Sequence, residues 1–343
     1  MTAIAPLDAT VLIATYNRAL LLDETLESIR RMRVSPSRTW EVIVVDNNSK
    51  DETRSVVERQ ARTFPARLRY LFEARQGRSS ALNTGIDAAE GAVIAFTDDD
   101  VVVSDGWLDA ACEALGTPDP SIAYAGGPVT PIWEAPAPHW LDLTRSDIWG
   151  TIAIQNHGDK EFVYEEAGRV PLGANMAVRR DVFTRIGGFR PDLGRTTGRL
   201  LLGQEVPELL LRARASGIRG LYVPPMELGH HVPAARLTRS YFRKWWFGKG
   251  VSRSALERLQ RVTDTGGDLS TTPHLLRVPR AMYGSLVRHL LGWLRERAGG
   301  RAAAAFRNEM MVMYFAGYFW ARQRDRRSDA QPAQPPAKRS VAI

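Results

Sequence analysis

Residues 92–100 read AVIAFTDDD, a short apolar run that ends in three consecutive aspartates. The run has the length of a buried strand, and a polar turn follows it directly. Three more apolar, β-branched runs precede it, at residues 10–14, 40–45 and 68–72. Helical patterns separate the four runs. This alternation predicts an α/β fold with a mostly parallel sheet and helices on both of its faces.

The segments between the runs have helical features. The first places Leu22, Leu26 and Ile29 on one face, as a helix packed on a sheet requires. In the second, Ser49 is followed three residues later by Glu52, a spacing that predicts a capping box. The predicted helices cover residues 20–32, 50–60 and 78–89.

A second block follows residue 120. Residues 128–160 are rich in Pro and Trp and show little periodicity. Trp133, Trp140 and Trp149 lie there; aromatic faces bind sugars, but tryptophans also fill cores, and both interpretations stay open. We predict strands at 122–126, 170–178 and 220–223, and helices at 181–186 and 204–215.

The charge is divided unevenly along the chain. Residues 236–343 carry 21 Lys and Arg against 7 Asp and Glu, whereas residues 1–235 carry 25 against 31. We therefore predict an α/β domain at 1–235, a basic amphipathic helical region at 236–325 with a loop at 262–273, and a disordered tail at 326–343. One apolar stripe of the helical region consists of Leu275, Met282, Leu286, Leu290 and Trp293.

Bulk features restrict the class of protein. Cys112 is the only cysteine, so an internal disulfide framework and a cysteine-rich zinc site are excluded, and a reducing compartment is favoured. The first residues resemble no signal peptide, and the most apolar stretch, 310–321, is about half the roughly 20 residues of a membrane span. We expect a cytoplasmic protein, held peripherally on anionic lipid at the inner face of the membrane by its basic helices.

Polar residues follow each of the first four predicted strands. Ligands bind at the carboxyl ends of the strands in open parallel sheets. A single cluster of this kind is typical of a turn, but four on one edge predict a binding site. The clusters are Thr15-Tyr16-Asn17-Arg18, Asp46-Asn47-Asn48-Ser49, Glu73-Ala74-Arg75 and Asp98-Asp99-Asp100.

The three aspartates predict a cation site. Successive carboxylates repel one another unless a cation compensates them. In an extended backbone Asp98 and Asp100 point to the same side, and Asp99 to the other. Carboxylate oxygens suit Mg²⁺ or Mn²⁺, which also bind phosphate. A solvated acidic turn is the alternative. Neither a G-x-G-x-x-G nor a Walker A sequence is present, so a glycine-rich phosphate loop is unsupported.

Several segments resemble family-2 glycosyltransferases, enzymes of the GT-A fold that invert the anomeric centre. The resemblance covers about residues 8–235, and a further segment resembles a bacterial subgroup and extends the likeness to about residue 255. The segments are ATYNR (14–18), VVDNNS (44–49), EARQGRSSALNTGI (73–86), FTDDDV (96–101), GANMAVRR (173–180), GQEVPELLLRARASG (203–217) and HHVPAARLTRSYFRKWWFGKG (230–250).

The resemblance implies a donor site and a metal site. Thr15 and Asp46 would hold the base and ribose, and Asp100 would be the main metal ligand. His230 would lie near the metal and diphosphate, with His231 as the alternative. The implied nucleotide-sugar residues are Thr15, Tyr16, Asn17, Arg18, Asp46, Asn47, Glu73, Arg78, Asp98 and Asp99, and the implied metal residues are Asp98, Asp100 and His230.

The resemblance also implies a general base, Glu205. The family has two acidic residues after a glycine at this point, whereas this chain has Gln204 before Glu205. An apparent insertion at Pro207 leaves Glu208 as the alternative base, although Glu208 can instead pair with Arg212 one helical turn on. On the acceptor side we expect Glu208 and Asn175, the latter with a turn or capping role as the alternative.

Together these features predict a metal-assisted, inverting glycosyltransferase that uses a nucleoside-diphosphate sugar, with uridine the commonest base in the family. The acceptor would be a hydroxyl of a glycan or a lipid-linked glycan. Three alternatives remain. A sugar-phosphate nucleotidyltransferase would need a basic glycine-rich loop that ATYNRALLLDE (14–24) lacks. The alternative of a nucleic-acid-binding or membrane-binding protein is supported by the basic charge alone. The alternative of an inactive family member is supported by Gln204.

Overall fold

The main sheet forms as the apolar runs predict. A computed structural model describes residues 7–193, 203–260 and 271–324. Strands within these ranges are β1 (Leu7–Thr15), β2 (Trp40–Asp46), β3 (Arg67–Phe72), β4 (Gly91–Thr97), β5 (Val101–Val103), β6 (Ile122–Gly126), β7 (Val129–Trp133), β8 (Phe162–Val163), β9 (Asn175–Arg179), β10 (Arg219–Tyr222), β11 (Leu228–Val232), β12 (His274–Leu275) and β13 (Val278–Pro279).

Eight strands form one sheet in the order β3-β2-β1-β4-β9-β6-β10-β8. Strands β1 to β4 are parallel, and β10 is parallel to β6. Strand β9 runs antiparallel to both of its neighbours, and β8 antiparallel to β10. The α/β fold with a mostly parallel sheet is confirmed. Because β1 and β4 are adjacent and parallel, their carboxyl ends meet at one edge.

The helices begin and end close to their predicted limits, with one exception. Helix α2 begins at Thr53, and the predicted capping box is wrong, because Glu52 is the N-cap residue and its side chain caps nothing, while the Asp51 carboxylate accepts the hydrogen bond of the Thr53 N–H at 3.2 Å. The hydroxyl of Ser49 instead accepts a hydrogen bond from the backbone N–H of Asn17 at 2.9 Å. The helices of the described residues are α1 (Ala19–Arg31), α2 (Thr53–Ala61), α3 (Arg78–Ala88), α4 (Trp107–Leu115), α5 (Trp149–Ile152), α6 (Arg180–Ile186), α7 (Glu205–Ala215), α8 (Arg239–Gln260), α9 (Arg280–Ala298) and α10 (Ala302–Arg324).

The region after β6 differs most from the prediction. The strand predicted at 170–178 begins only at Asn175, and Val170 is exposed. The Pro- and Trp-rich block 128–160 contains β7 and α5. Strand β7 pairs parallel with β11, which pairs antiparallel with β5, so three strands form a second sheet beside the triple aspartate.

Side chains alternate across β1 and bury apolar groups on both faces of the main sheet. Val11 and Ile13 pack with α1 and α4 on one face, and Leu12 packs with α3 and α7 on the other. Successive strand residues point to opposite faces, so a strand covered on both sides is apolar at nearly every position. This packing fixes the ends of β1 and β4.

The C-terminal helices pack on the block that contains β7 and α5. A third apolar cluster joins Ile148 and Ile152 to Phe242 of α8 and Met310 of α10. Helices α8 and α10 approach closely at glycines: a Cβ on Gly250 would lie 2.0 Å from the backbone oxygen of Tyr314. Apolar packing therefore crosses residue 235, and the predicted domain limits stay a prediction.

Helix α9 buries the predicted stripe only in part. Met282 and Leu286 are half-buried and pack against the third apolar cluster, whereas Leu290 is exposed. Leu275 is not part of the helix, because it lies in the short strand β12. No helix within the described ranges has the length and apolarity of a membrane span. Most of the predicted loop 262–273 and the whole predicted tail 326–343 lie outside the described residues.

Candidate active site

A cavity of about 580 Å³ opens at the carboxyl ends of β1 and β4. It lies at the sheet edge where the clusters of polar residues were predicted to converge. The predicted residues that line it are Thr15, Tyr16, Arg18, Asn47, Arg78, Asp98, Asp99, Asp100 and His230. The cavity therefore brings together predicted residues from five separate segments of the chain.

Two aspartates are held together by arginine. Nη1 of Arg18 lies 2.9 Å from Oδ1 of Asp99 and 2.7 Å from Oδ2 of Asp100. Thr15 donates a hydrogen bond of 2.7 Å to the other oxygen of Asp99. Burial raises the pKa of Asp99 to about 6, because the Arg18 charge only partly offsets the loss of hydration. Asp99 and Asp100 are thus buried and share one arginine.

Asp98, Asp100 and His230 fit a divalent cation. Each offers one ligand atom, and these atoms lie within 4.8 Å of one another. Oδ1 of Asp100 and Nδ1 of His230 are buried and have no hydrogen-bond partner among the described residues. Burial also lowers the pKa of His230, which favours the neutral ring that metals bind. Two carboxylates and an imidazole suit a hard or borderline divalent cation better than a soft one.

Strand alternation separates the two histidines. His230 lies opposite Val101 in the β11–β5 ladder, and its ring is 1% exposed beside the aspartates. His231 points to the other face of β11, where its Nε2 lies 3.4 Å from a carboxylate oxygen of Glu24. Only His230 therefore lines the cavity.

Arg236 is a cavity residue that the sequence analysis did not single out. Its guanidinium lies 3.8 Å from Oδ2 of Asp100 and 3.4 Å from Nε2 of His230. The residue follows β11 and stands within the 230–250 segment that carries the resemblance. Its position six residues after His230 is the signal that could have indicated a cavity residue. Only the tertiary structure shows that the chain turns back towards Asp100 at this point.

Arg78 connects the aspartates to the predicted base. Its Nη2 lies 2.6 Å from Oδ1 of Asp98, and its Nη1 lies 3.4 Å from Oε1 of Glu205. The charges of both carboxylates raise the pKa of Arg78, although burial opposes this. Oε2 of Glu205 is buried, and no described group donates a hydrogen bond to it.

Glu208 is engaged in a structural ion pair. Arg212 binds its carboxylate at 2.8 Å and also donates to the backbone oxygens of Ile186 and Gly188. The arginine thereby ties α7 to the turn after α6. Glu208 is 1% exposed and does not line the cavity.

Several residues predicted to bind the nucleotide sugar do not border the cavity and instead bind neighbouring side chains and backbone. Asp46 accepts hydrogen bonds from the N–H of Ser49 and the hydroxyl of Tyr70. Glu73 is bound by Arg75, whose hydrogen bonds lower the pKa of Glu73 to about 2. The predicted residues outside the lining are Asn17, Asp46, Glu73, Asn175, Glu205 and Glu208.

Two asparagine side chains connect separate loops. The amide of Asn47 donates to the backbone oxygens of Glu73 and Arg75 and accepts from the N–H of Gly77. Asn175 is fully buried; it accepts from the Trp107 ring and donates to two backbone oxygens. This geometry favours the structural alternative for Asn175.

Comparisons with known proteins agree with this architecture. The chain is 24% identical over 254 residues to a glucosyl-dolichyl phosphate glucuronosyltransferase of Haloferax volcanii, which covers 73% of this chain and 77% of that protein. It is 27% identical to the succinoglycan biosynthesis protein ExoM of Rhizobium meliloti, over 71% and 73% of the two chains. The structure matches a mannosyltransferase from Pyrobaculum calidifontis in complex with GDP-Man and Mn²⁺, with a TM-score of 0.58, 20% identity, and 94% and 90% of the chains covered.

The fold is that of a GT-A glycosyltransferase. The model of glycosyl transferase family 2 matches residues 10–187, which is more than half of the chain. The chain belongs to this family, and the prediction of a family-2 glycosyltransferase is confirmed.

Proposed function

We propose that this glycosyltransferase moves a sugar from a nucleoside-diphosphate-sugar donor, with UDP-sugars the first to test, to a hydroxyl of a glycan or lipid-linked acceptor. The observation that carries the proposal is the position of Arg78. One guanidinium contacts Asp98 in the acidic cluster and Glu205 at the start of α7. A nucleotide sugar bound at the acidic cluster would therefore lie close to Glu205, the carboxylate that we propose accepts the proton.

Asp98, Asp100 and His230 would hold the divalent cation, for which Mn²⁺ and Mg²⁺ are the candidates. When bound, such an ion acts as a Lewis acid and neutralises charge on the departing diphosphate. Arg18 and Arg236 both lie beside Asp100, and both residues line the cavity. These arginines supply further positive charge for an anionic leaving group.

Glu205 is proposed as the general base. A carboxylate within hydrogen-bond reach of the attacking hydroxyl contributes roughly 10²–10⁴-fold to rate. Arg78 lies beside Oε1, and no described group donates a hydrogen bond to Oε2. A single displacement with a base and no protein nucleophile inverts the anomeric configuration. Glu208 is a poorer candidate, because Arg212 binds its carboxylate.

The direct test is transfer or hydrolysis with a panel of nucleotide sugars, with Mn²⁺ or Mg²⁺ and with chelator. The proposal requires nucleotide release from at least one donor, and chelator should abolish it. No release from any donor with either metal would overturn the proposal.

A peripheral contact with anionic membrane is a second proposal, supported by one face of α9. Val287, Leu290, Leu291 and Leu294 are 53%, 39%, 61% and 51% exposed. With about 3.6 residues per turn, they fall within an arc of roughly 100°. Exposed arginines border the arc: Arg288, Arg295 and Arg297. An apolar face with basic flanks is typical of a helix that lies in the lipid headgroup layer.

A further inference from the structure

The hydrogen bonds of Asp46 leave the reading of the nucleobase to another residue. The resemblance implies that Asp46 helps to hold the base and ribose, but this residue is 3% exposed and does not line the cavity. Its Oδ1 accepts from the backbone N–H of Ser49 at 2.8 Å, and its Oδ2 accepts from the hydroxyl of Tyr70 at 2.7 Å. Both carboxylate oxygens are therefore engaged, and a group that reads the base has to be sought in the cavity lining.

Three side chains of the lining are not bound to the aspartates and follow the ends of β1, β2 and β3: Tyr16, Asn47 and Gln76. An aromatic ring such as that of Tyr16 stacks on every base and does not distinguish one base from another. The Asn47 amide is fully used, because it donates to two backbone oxygens and accepts from a backbone N–H. Gln76 is the remaining polar side chain of the three.

Asn47 fixes the orientation of the Gln76 amide. Nε2 of Gln76 donates to the backbone oxygen of Asn47 at 3.1 Å and lies 3.4 Å from the side-chain oxygen of the same residue. A carbonyl oxygen only accepts hydrogen bonds, so a half-turn of the amide would bring two acceptors together. Oε1 of Gln76 is therefore held as an acceptor, and no group among the described residues donates to it.

The position of Gln76 suits the length of a nucleoside diphosphate. The strands lie in the order β3-β2-β1-β4, so three spacings of about 4.8 Å, roughly 14 Å in all, separate the carboxyl ends of β3 and β4. Gln76 follows β3, and the acidic cluster follows β4. An extended nucleoside diphosphate has a similar length, so a diphosphate bound at the aspartates places its base beside Gln76.

We propose that Oε1 of Gln76 accepts the ring N–H of the donor's nucleobase and thereby selects bases that carry a proton at this position. Uracil, thymine and guanine have such an N–H on their pairing edge, whereas cytosine and adenine have an unprotonated nitrogen there. The lone pair of that nitrogen is repelled by Oε1, and the amide cannot turn to donate instead, because Asn47 holds it. This inference rests on the proposed function, since the base belongs to the sugar donor of that reaction.

Calorimetry of the full-length chain with UDP, CDP, GDP and ADP, each with Mn²⁺, tests the inference. UDP and CDP are nearly equal in size and differ in the ring N–H, as do GDP and ADP. Within a pair that binds, the native chain should prefer UDP over CDP, or GDP over ADP, by about tenfold or more, because a site built to accept an N–H rejects an analogue that lacks it. Gln76→Met removes the acceptor and keeps the side-chain length, so the preference should fall to about twofold or less. Gln60→Met is the matched control, since Gln60 binds Asp23 on the outside of the cavity lining and should keep the preference.

Equal affinities of the native chain for the two members of a pair overturn this inference alone, because nucleotide binding still supports the proposed function. A preference that survives in Gln76→Met also overturns it, and loss of the preference in Asp46→Asn would then assign the reading of the base to Asp46. If Gln76→Met fails to fold, Gln76→Ala decides the question by the same comparison. Failure of all four nucleotides to bind the native chain contradicts the proposed function itself, and this inference falls with it.

Discussion

His230 Nε2 lies 3.4 Å from Oδ1 of Asp100, although the two residues belong to distant parts of the chain. The contact exists because β11 pairs antiparallel with β5, which directly follows the aspartates. The next residue, His231, donates its backbone N–H to the backbone oxygen of Asp100, but its ring lies on the opposite face.

His230→Ala should therefore reduce metal-dependent turnover, whereas His231→Ala should leave it nearly unchanged. Loss of one ligand is expected to cost more than the roughly 10–100-fold of an outer-shell change in metal sites. Titration of nucleotide release against Mn²⁺ measures the effect as a higher metal requirement. Equal losses in the two variants would remove His230 from the metal site.

Asp100→Ala should abolish turnover, because Asp100 supplies a proposed metal ligand and lies beside Arg18 and Arg236. The chain should stay folded, since Arg18 keeps its ion pair with Asp99. The matched control is Asp105→Ala, since Asp105 is exposed and pairs only with Arg33 among the described contacts. Thermal unfolding with and without Mn²⁺ should show metal stabilisation in the control and none in Asp100→Ala. Near-normal activity of Asp100→Ala in the presence of chelator would contradict the metal proposal.

Glu205→Gln should lower turnover by roughly 10²–10⁴-fold, because the amide keeps the size of the side chain but cannot take the proton. Donor binding should persist in this variant. Glu208→Gln should instead lower the melting temperature, since Arg212 would lose its charged partner. Rapid-quench turnover with saturating donor distinguishes the two. A large loss of turnover in Glu208→Gln, with Glu205→Gln active, would move the base to Glu208.

Gly250→Ala should destabilise the chain by about 1–3 kcal/mol, the usual effect of overpacking. The added Cβ would lie 2.0 Å from backbone of α10, which cannot yield as a side chain can. Gly284→Ala is the control in α9, where a Cβ meets nothing within 4 Å. It should raise stability by roughly 0.5–1 kcal/mol, the helix preference of alanine over glycine. Chemical denaturation measures both, and a stable Gly250→Ala would refute the close approach of α8 and α10.

Leu291→Glu combined with Leu294→Glu should abolish binding to vesicles that contain anionic lipid, because the charges replace two exposed leucines of the α9 face. Leu20→Glu serves as the control, since Leu20 is 84% exposed on α1 and far from that face in sequence. Flotation should show native binding that weakens with salt. Unchanged flotation of the α9 variant, or no binding by the native chain, would remove the membrane contact. Point variants are preferable to truncation near residue 235, because truncation would expose the apolar cluster under α8 and α10.

Local patterns were sufficient for much of the fold. The apolar runs before Thr15, Asp46 and Asp98 identify strands, because strands covered on both faces must be apolar at nearly every position. The capping box at Ser49 failed, since that hydroxyl is used by the turn after β1 instead. A short polar motif has several local uses, and distant partners decide among them.

The sequence by itself determined the first four strands and the helices between them, the acidic cluster at the end of β4, and the family. It did not determine which polar residues face the cavity. The pairing of β11 with β5 decided that His230 and not His231 faces the cavity. The return of the chain after β11 placed Arg236 beside Asp100. The ion pair with Arg212 engaged the carboxylate of Glu208. Periodicity reports local geometry, whereas contacts between distant segments depend on strand register and helix packing. Only the tertiary structure fixes those, because they are set by burial summed over the whole chain.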